Sequence, residues 1–349
     1  MTERARTLWA GGLVSLVLVA LGAAIPVPFV ALGPGSTFNT IASAQGHQVI
    51  TFSGDDIPAA AAEQPTGHLN MLTIRIVDKI PMFEAVGMWV SGQYQFAPRE
   101  EYFPPNKSVQ QVNEENRQMF TDSQSAAEIE ALRYLGYPNV VYVGDITSDS
   151  PSWHILQPKD QITEVDGKPV TDYQSLAGIM SGTHPDQKVA VTVRRDGEPV
   201  TATITLGANP KVGPQGFLGV GVVERPVAPF SINIALEDIG GPSAGLMFTL
   251  GIIDRLTPGD LSGGKFIAGT GTINVQDGSV GAIGGVTLKE RTARSAGAQY
   301  MLVPADNCAE ALTDVPDGLT LVKVSTLDDA VQAVKTIAAG GTPPSCSTT

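Results

Sequence analysis

The sequence predicts an α/β fold carried mainly by residues 215–340, preceded by a separate β-rich unit at 121–208 and one N-terminal transmembrane helix. Strand-like runs alternate with helical periodicity through 215–340, the pattern of an α/β layer structure. Residues 121–208 hold short alternating runs punctuated by Asp-Gly turns. The stretch Leu8–Leu32 is almost wholly apolar, and about 20 such residues suffice to cross a bilayer.

The bulk composition narrows the function classes. A hydrophobic share of 42% against 16% charge fits core-bearing protein, and 349 residues leave room for several domains. The net charge of -13 offers no basic patch for nucleic acid and no attraction to an anionic membrane surface. Two isolated cysteines and four scattered histidines match no zinc spacing, so neither a metal nor a cofactor is expected.

The N-terminus sets the topology. Arg4 and Arg6 precede the apolar run, and the next Lys or Arg is Arg75. By the positive-inside rule residues 1–7 stay in the cytoplasm, 8–32 span the cell membrane in a single pass, and the bulk of the chain is extracytoplasmic. Small residues at 20–24 also suit a cleaved signal peptide. Apolar character continuing through Pro26, Val27, Phe29 and Val30 favours the uncleaved anchor. Residues 33–66, rich in Gly, Ser, Thr, Ala and Pro, read as a stalk with a candidate strand at Gln48–Phe52.

Beyond the stalk, Leu72–Val77 alternates as a strand and Phe83–Gly92 reads as a short apolar helix. Met71, Met82 and Met88 read as filling for a core or interface, whereas Phe83, Met88 and Trp89 suit the bilayer or a neighbouring subunit equally well. Phe96–Gln118 is polar and broken by three prolines. Within 121–208, Ala126–Leu135 is helical and stops at Gly136 and Pro138. A strand at Asn139–Ile146 follows, then a strand–turn–strand around Asp166-Gly167, a helix at Asp172–Ser181, and a hairpin around Asp196-Gly197. In 215–340 the strands are Phe217–Val222, Ile232–Leu236, Phe266–Thr272, Tyr300–Pro304 and Leu319–Val324, and the helices are Ser243–Arg255, Thr287–Ala296 and Leu327–Ala338. The tail, 341–349, reads as disordered. Cys308 and Cys346 either pair in an oxidising compartment or remain two thiols.

The chemistry concentrates in two motifs. Gly240-Gly241-Pro242-Ser243-Ala244-Gly245 puts a serine at a predicted helix entrance, with Pro242 just inside it. Free backbone N–H groups around Gly241, Pro242, Ser243 and Ala244 would then favour an oxyanion. Ile283-Gly284-Gly285-Val286-Thr287-Leu288-Lys289 brings a lysine from a glycine turn into a helix. His47, His68, His154 and His184 all fall earlier in the chain, so a base for Ser243 is expected to be the Lys289 amine, its pKa depressed by burial. A third run, Gly259-Asp260-Leu261-Ser262-Gly263-Gly264-Lys265-Phe266, satisfies G-x-x-x-x-G-K but lacks the Ser/Thr for magnesium and precedes a strand, so nucleotide binding is not expected.

These residues carry two resemblances. Leu156, Asp160-Gln161-Ile162, Val165-Asp166-Gly167 and Val170 resemble the signature of bacterial protease-associated PDZ domains, with Lys159 in the place of the usual glycine. The resemblance implies peptide capture at a sheet edge, for which the strand residues Val141, Val143 and Ile146 are the candidates. Gly241–Gly245, Ala268–Ile273 and Ile283–Lys289 together resemble the proteolytic domain of Lon proteases, implying Ser243 as nucleophile, Lys289 as general base and Thr270 as a supporting hydroxyl. Where many members carry an acid, Gly240 stands here, and Asp238 is the near acidic residue. The whole arrangement resembles the YlbL-like group of PDZ-containing peptidases, in which the PDZ unit is inserted. By that analogy residues 67–120 form the N-terminal part of the protease domain and Leu69–Val77 packs with 215–340. The resemblance also implies ATP-independent cleavage of protein or peptide substrates and a homo-oligomeric ring. Two rival readings are a non-catalytic PDZ adaptor, motivated by Gly240, and a processing protease for one membrane partner.

Overall fold

A computed structural model of the chain describes residues 3–44, 47–63, 65–209, 213–236 and 239–347. The chain divides into two compact units, the second inserted in the first: residues 1–53, 57–128 and 232–349 form one, and 54–56 with 129–231 the other.

The first unit opens with helix α1, Glu3–Ala24, within which Arg6–Ala24 is long and apolar enough to cross a membrane. The helix ends eight residues before the expected limit at 32. Pro26 and Pro28 cannot continue it, and β1, Phe29–Asn39, begins in its place with Val30 and Ala31 wholly buried. The expected stalk is therefore corrected: residues 33–39 are sheet, and Thr40, Ile41, Val49 and Ile50 are buried. Strand β2, His68–Val77, lies antiparallel to β1, followed by helix α2, Met82–Val90, and strand β3, Gln95–Pro98. Helix α3 runs from Val109 to Tyr134 and takes in much of the polar stretch read as broken. Its prolines, Pro104 and Pro105, lie ahead of the helix, so nothing after Ser108 interrupts it. Residues 109–128 of α3 belong to the first unit.

The second unit is a sheet with one flanking helix. It comprises β4 (Asn139–Ile146), β5 (Gln161–Val165), helix α4 (Tyr173–Ser181), the hairpin β6 (Lys188–Arg195) and β7 (Glu198–Thr205), and β8 (Val220–Pro226). The strand order is β7-β6-β5-β4-β8. Asp172 caps α4 by accepting from the Ser175 N–H at 2.7 Å, the reciprocal capping box that fixes its start. The strand read at 217–222 as the first of the C-terminal block is here corrected: β8 starts at Val220 and pairs with β4.

Back in the first unit, helix α5 (Gly245–Leu256) leads to β9 (Phe266–Gly269), helix α6 (Val286–Ser295), β10 (Tyr300–Pro304), β11 (Thr320–Val324) and helix α7 (Leu327–Ala338). Its sheet runs β11-β10-β9-β2-β1-β3, with β11, β10, β9 and β2 parallel and β1 and β3 antiparallel to their neighbours. The strands from before the insertion thus complete the sheet that the C-terminal segment begins. Every residue of α5 is buried, Thr249, Asp254 and Arg255 among them; Arg255 bonds to the Ile41 and Ala61 carbonyls and Asp254 accepts from the Leu261 N–H. The tail is not disordered up to residue 347. Lys323 N–H donates to Pro344 O at 3.0 Å, Cys346 N–H to Leu321 O at 3.0 Å, and Cys346 is disulfide-bonded to Cys308.

Candidate active site

Ser243 and Lys289, forty-six positions apart in sequence, meet at one end of the parallel strands. Ser243 does not sit inside a helix. Helix α5 begins only at Gly245 with Ala244 as its cap, so Pro242 precedes the helix rather than opening it. The reason is local: Gly241 takes a φ of 85°, open to glycine and costly for other residues, and this turn reverses the chain before Pro242. Gly241 N–H donates to the Asn116 carbonyl at 2.9 Å, which ties the turn to α3. Lys289 is delivered by a second such position, Gly285 at φ 69°, which caps α6.

The lysine Nζ lies 2.8 Å from Ser243 Oγ and 2.8 Å from Thr270 Oγ1. The Thr270 hydroxyl donates its one proton to the Ser243 carbonyl at 3.1 Å, so toward the amine it can only accept. A neutral amine that donates one N–H to Thr270 turns its lone pair to Ser243 Oγ–H. Burial, with no carboxylate among the described residues bonded to the amine, lowers the Lys289 pKa from 10.5 to about 7. The amine is therefore available as a base near neutral pH.

The nucleophile loop is held from two sides. Gly271 N–H donates to Ser243 O at 2.9 Å, and Gly271 O accepts from Leu246 N–H at 3.1 Å. On the other side Ser123 Oγ, on α3, donates to the Pro242 carbonyl at 2.9 Å. That carbonyl belongs to the same peptide group as the Ser243 N–H, which it polarises. Among the described residues, the N–H groups of Ser243 and Ala244 donate to nothing. Gly241 N–H is spent on Asn116 and Pro242 has no N–H, so of the four backbone positions expected to hold an oxyanion only Ser243 and Ala244 have a free donor. Ser123 was not legible in the sequence. Its only signal is a small polar residue on the apolar side of a helix, and the long-range pairing with Pro242 leaves no local trace.

A cleft of about 1100 Å³ opens over this group, lined by Phe38, Met71, Ile74, Phe120 and Leu236 beside Ser243 and Lys289. Asp238 lies outside the described residues. In the loop Gly259–Lys265 the Gly264 N–H and the Ser262 hydroxyl donate to the Asp260 carboxylate, which also accepts from the Gly67 N–H and the Thr66 hydroxyl, so a carboxylate stands where a phosphate would need those donors. In the second unit, Val141 and Val143 are buried in the core. Strand β4 is hydrogen-bonded on both edges, to β5 and to β8, so the expected peptide-binding edge at Val141, Val143 and Ile146 is corrected. The open edges of that sheet are β7 and β8.

Comparison with protein families places two domains on this chain. The model of the PDZ domain matches residues 109–206, and that of the Lon protease (S16) C-terminal proteolytic domain matches 238–336. The chain joins a PDZ domain to a Lon-type proteolytic domain. The Lon-type match begins just before the Ser243 loop and holds Thr270, Lys289 and the strands β9 to β11, while β1, β2 and β3 fall outside it. Similar solved structures include the PDZ domain of an SdrC-like protein from Listeria monocytogenes, 28% identical over 24% of this chain and 86% of that one, with a TM-score of 0.23. The corresponding domain from Listeria innocua is 25% identical over 24% and 92%, with a TM-score of 0.22. A search among curated proteins returns no match.

Proposed function

We propose that this chain is a membrane-anchored, extracytoplasmic serine endopeptidase that works without ATP and uses a Ser243–Lys289 dyad. The observation that carries the reading is the buried amine 2.8 Å from both the Ser243 and Thr270 hydroxyls. Lys289 takes the proton of Ser243 as Oγ attacks a peptide carbonyl. The resulting oxyanion is met by the N–H groups of Ser243 and Ala244. The Lys289 ammonium returns its proton to the departing amine, leaving an ester on Ser243. Water, deprotonated by the same amine, then releases the acid product. Thr270 keeps the lone pair aimed at Oγ throughout.

The PDZ domain presents unfolded or tail-exposed protein substrates by adding their strand to a sheet edge, and copies of the chain assemble into a ring. Arg4 and Arg6 support an N-terminus on the cytoplasmic side.

Cleavage of casein by the full chain in lipid nanodiscs tests the dyad. Ser243→Ala and Lys289→Ala each reduce the rate by about 10³-fold or more, and ATP changes nothing. Activity surviving either substitution rejects the dyad. A wild-type chain that binds peptides and cuts none leaves the adaptor reading, and cleavage confined to one membrane protein leaves the dedicated processing protease.

A further inference from the structure

Helix α2 has no buried residue, yet Met82, Phe83, Val86, Trp89 and Val90 are exposed at between 45% and 72%. Its one charge is Glu84. A short helix this apolar gains nothing by facing water, because its side chains were already wet in the unfolded chain. Its position says what covers it. A Cβ at Gly22 would come within 2.9 Å of Met82 Cε and the Phe83 ring, so α2 starts against the last turn of α1. The two chain segments are tied there again: Val27 N–H donates to Ile80 O at 2.8 Å, and Pro26 bridges Pro81.

Arg6–Ala24 is 19 residues, and at 1.5 Å per residue it reaches about 28 Å, close to the thickness of a bilayer's hydrocarbon core. The last turn of α1 therefore sits where a spanning helix leaves the hydrocarbon, and α2 begins at that level. Tryptophan is the residue type that settles at this depth. Ser91, Gly92 and Gln93, all exposed, follow directly and return the chain to water.

We propose that α2 is an interfacial helix, its apolar side chains seated in the headgroup–acyl boundary of the same bilayer that α1 crosses, with Trp89 as the anchor. This rests on α1 being a retained membrane span. With Glu84 on the helix and a net charge of -13 on the chain, the docking is apolar rather than electrostatic. Zwitterionic lipid suffices for it and salt does not release it.

Depth-dependent quenching in nanodiscs of phosphatidylcholine, brominated either near the headgroup or near the chain ends, tests the docking on the full chain. The double substitution Trp9→Phe/Trp153→Phe leaves Trp89 as the only tryptophan, and Trp89→Phe/Trp153→Phe leaves Trp9 inside α1. Trp9, Trp89 and Trp153 are all exposed, so each phenylalanine is accommodated, and thermal unfolding checks both variants. Shallow bromine reduces Trp89 emission by roughly half, deep bromine does less, and high salt leaves both unchanged. Quenching of Trp9 without quenching of Trp89 overturns the proposal while the span stands. Blue-shifted but unquenched Trp89 emission also overturns it, and assigns the face to a second copy of the chain. If neither tryptophan is quenched, the span itself fails and the docking fails with it.

Discussion

Lys289 in the Lon-type domain and Asp160 in the PDZ domain are equally hidden from water, at 2% exposure each, and their surroundings could hardly differ more. Burial raises Asp160, but the Arg195 guanidinium, bonded through Nε at 2.8 Å and a terminal nitrogen at 2.6 Å, together with the Gln157 N–H outweighs it. The carboxyl stays below its usual range. Among the described residues Lys289 bonds only to hydroxyl oxygens, and burial moves it to about 7. The first environment fixes a charge so that a strand–turn–strand holds its shape. The second leaves a proton loosely held, which suits the proposed role of passing it on. In this pair the counter-charge separates the two outcomes: Asp160 has one and stays charged, and Lys289 is bonded to hydroxyls and loses its proton more readily.

Replacing Lys289 by arginine breaks the comparison most severely. The guanidinium keeps its proton at every workable pH, and casein cleavage falls by about 10³-fold or more in an initial-rate assay. Asp160→Ala acts on the other side. Loss of a buried partner destabilises the PDZ domain by about 3 kcal/mol in denaturant unfolding, at the lower end because Arg195 is partly exposed. Cleavage of short unstructured peptides by that variant stays near wild type.

The pH dependence sharpens the contrast further. With the neutral amine as the proposed base, kcat/KM is expected to rise with pH through about 7. The folded pKa is below the unfolded value of 10.5, so the unfolded chain binds the extra proton and wild-type stability climbs from pH 7 toward 10.5. Lys289→Met lacks this dependence. Its Tm advantage over wild type is largest near pH 7 and shrinks toward pH 10, as differential scanning calorimetry would record. The smallest effect belongs to Ser123→Ala, which loosens the Pro242–Ser243 peptide and lowers kcat by about tenfold with KM little changed. Ser123→Thr, keeping the hydroxyl, restores most of it.

The three groups at the centre were legible because each sits in a short motif whose backbone demands are local: Gly241 before Ser243, Gly285 before Lys289, and the Gly269–Gly271 run around Thr270. Helix α7, bounded by its Thr326 cap and a glycine-rich end, was equally plain. What escaped was set by pairing across long separations. Val30 to Leu32 continue the apolar run of α1 in composition, and their register with Gln95–Ala97 on one side and, for Ala31 and Leu32, with Val77 and Ile76 on the other makes them sheet. Val220 to Pro226 follow the domain boundary in sequence but close the PDZ sheet against β4. That second pairing also misdirected the peptide-binding edge to Val141 and Val143, which alternate like an edge strand and are instead enclosed on both sides.

The tail laid along β11 has a consequence for handling. Strand β11 ends the central sheet, and the bonds from Lys323 and Cys346 give that rim a partner that would otherwise be sought from another molecule. The Cys308–Cys346 link, between residues 38 positions apart, keeps this cover in place. Reductant, or trimming of the last ten or so residues, would bare the rim and favour pairing with another molecule.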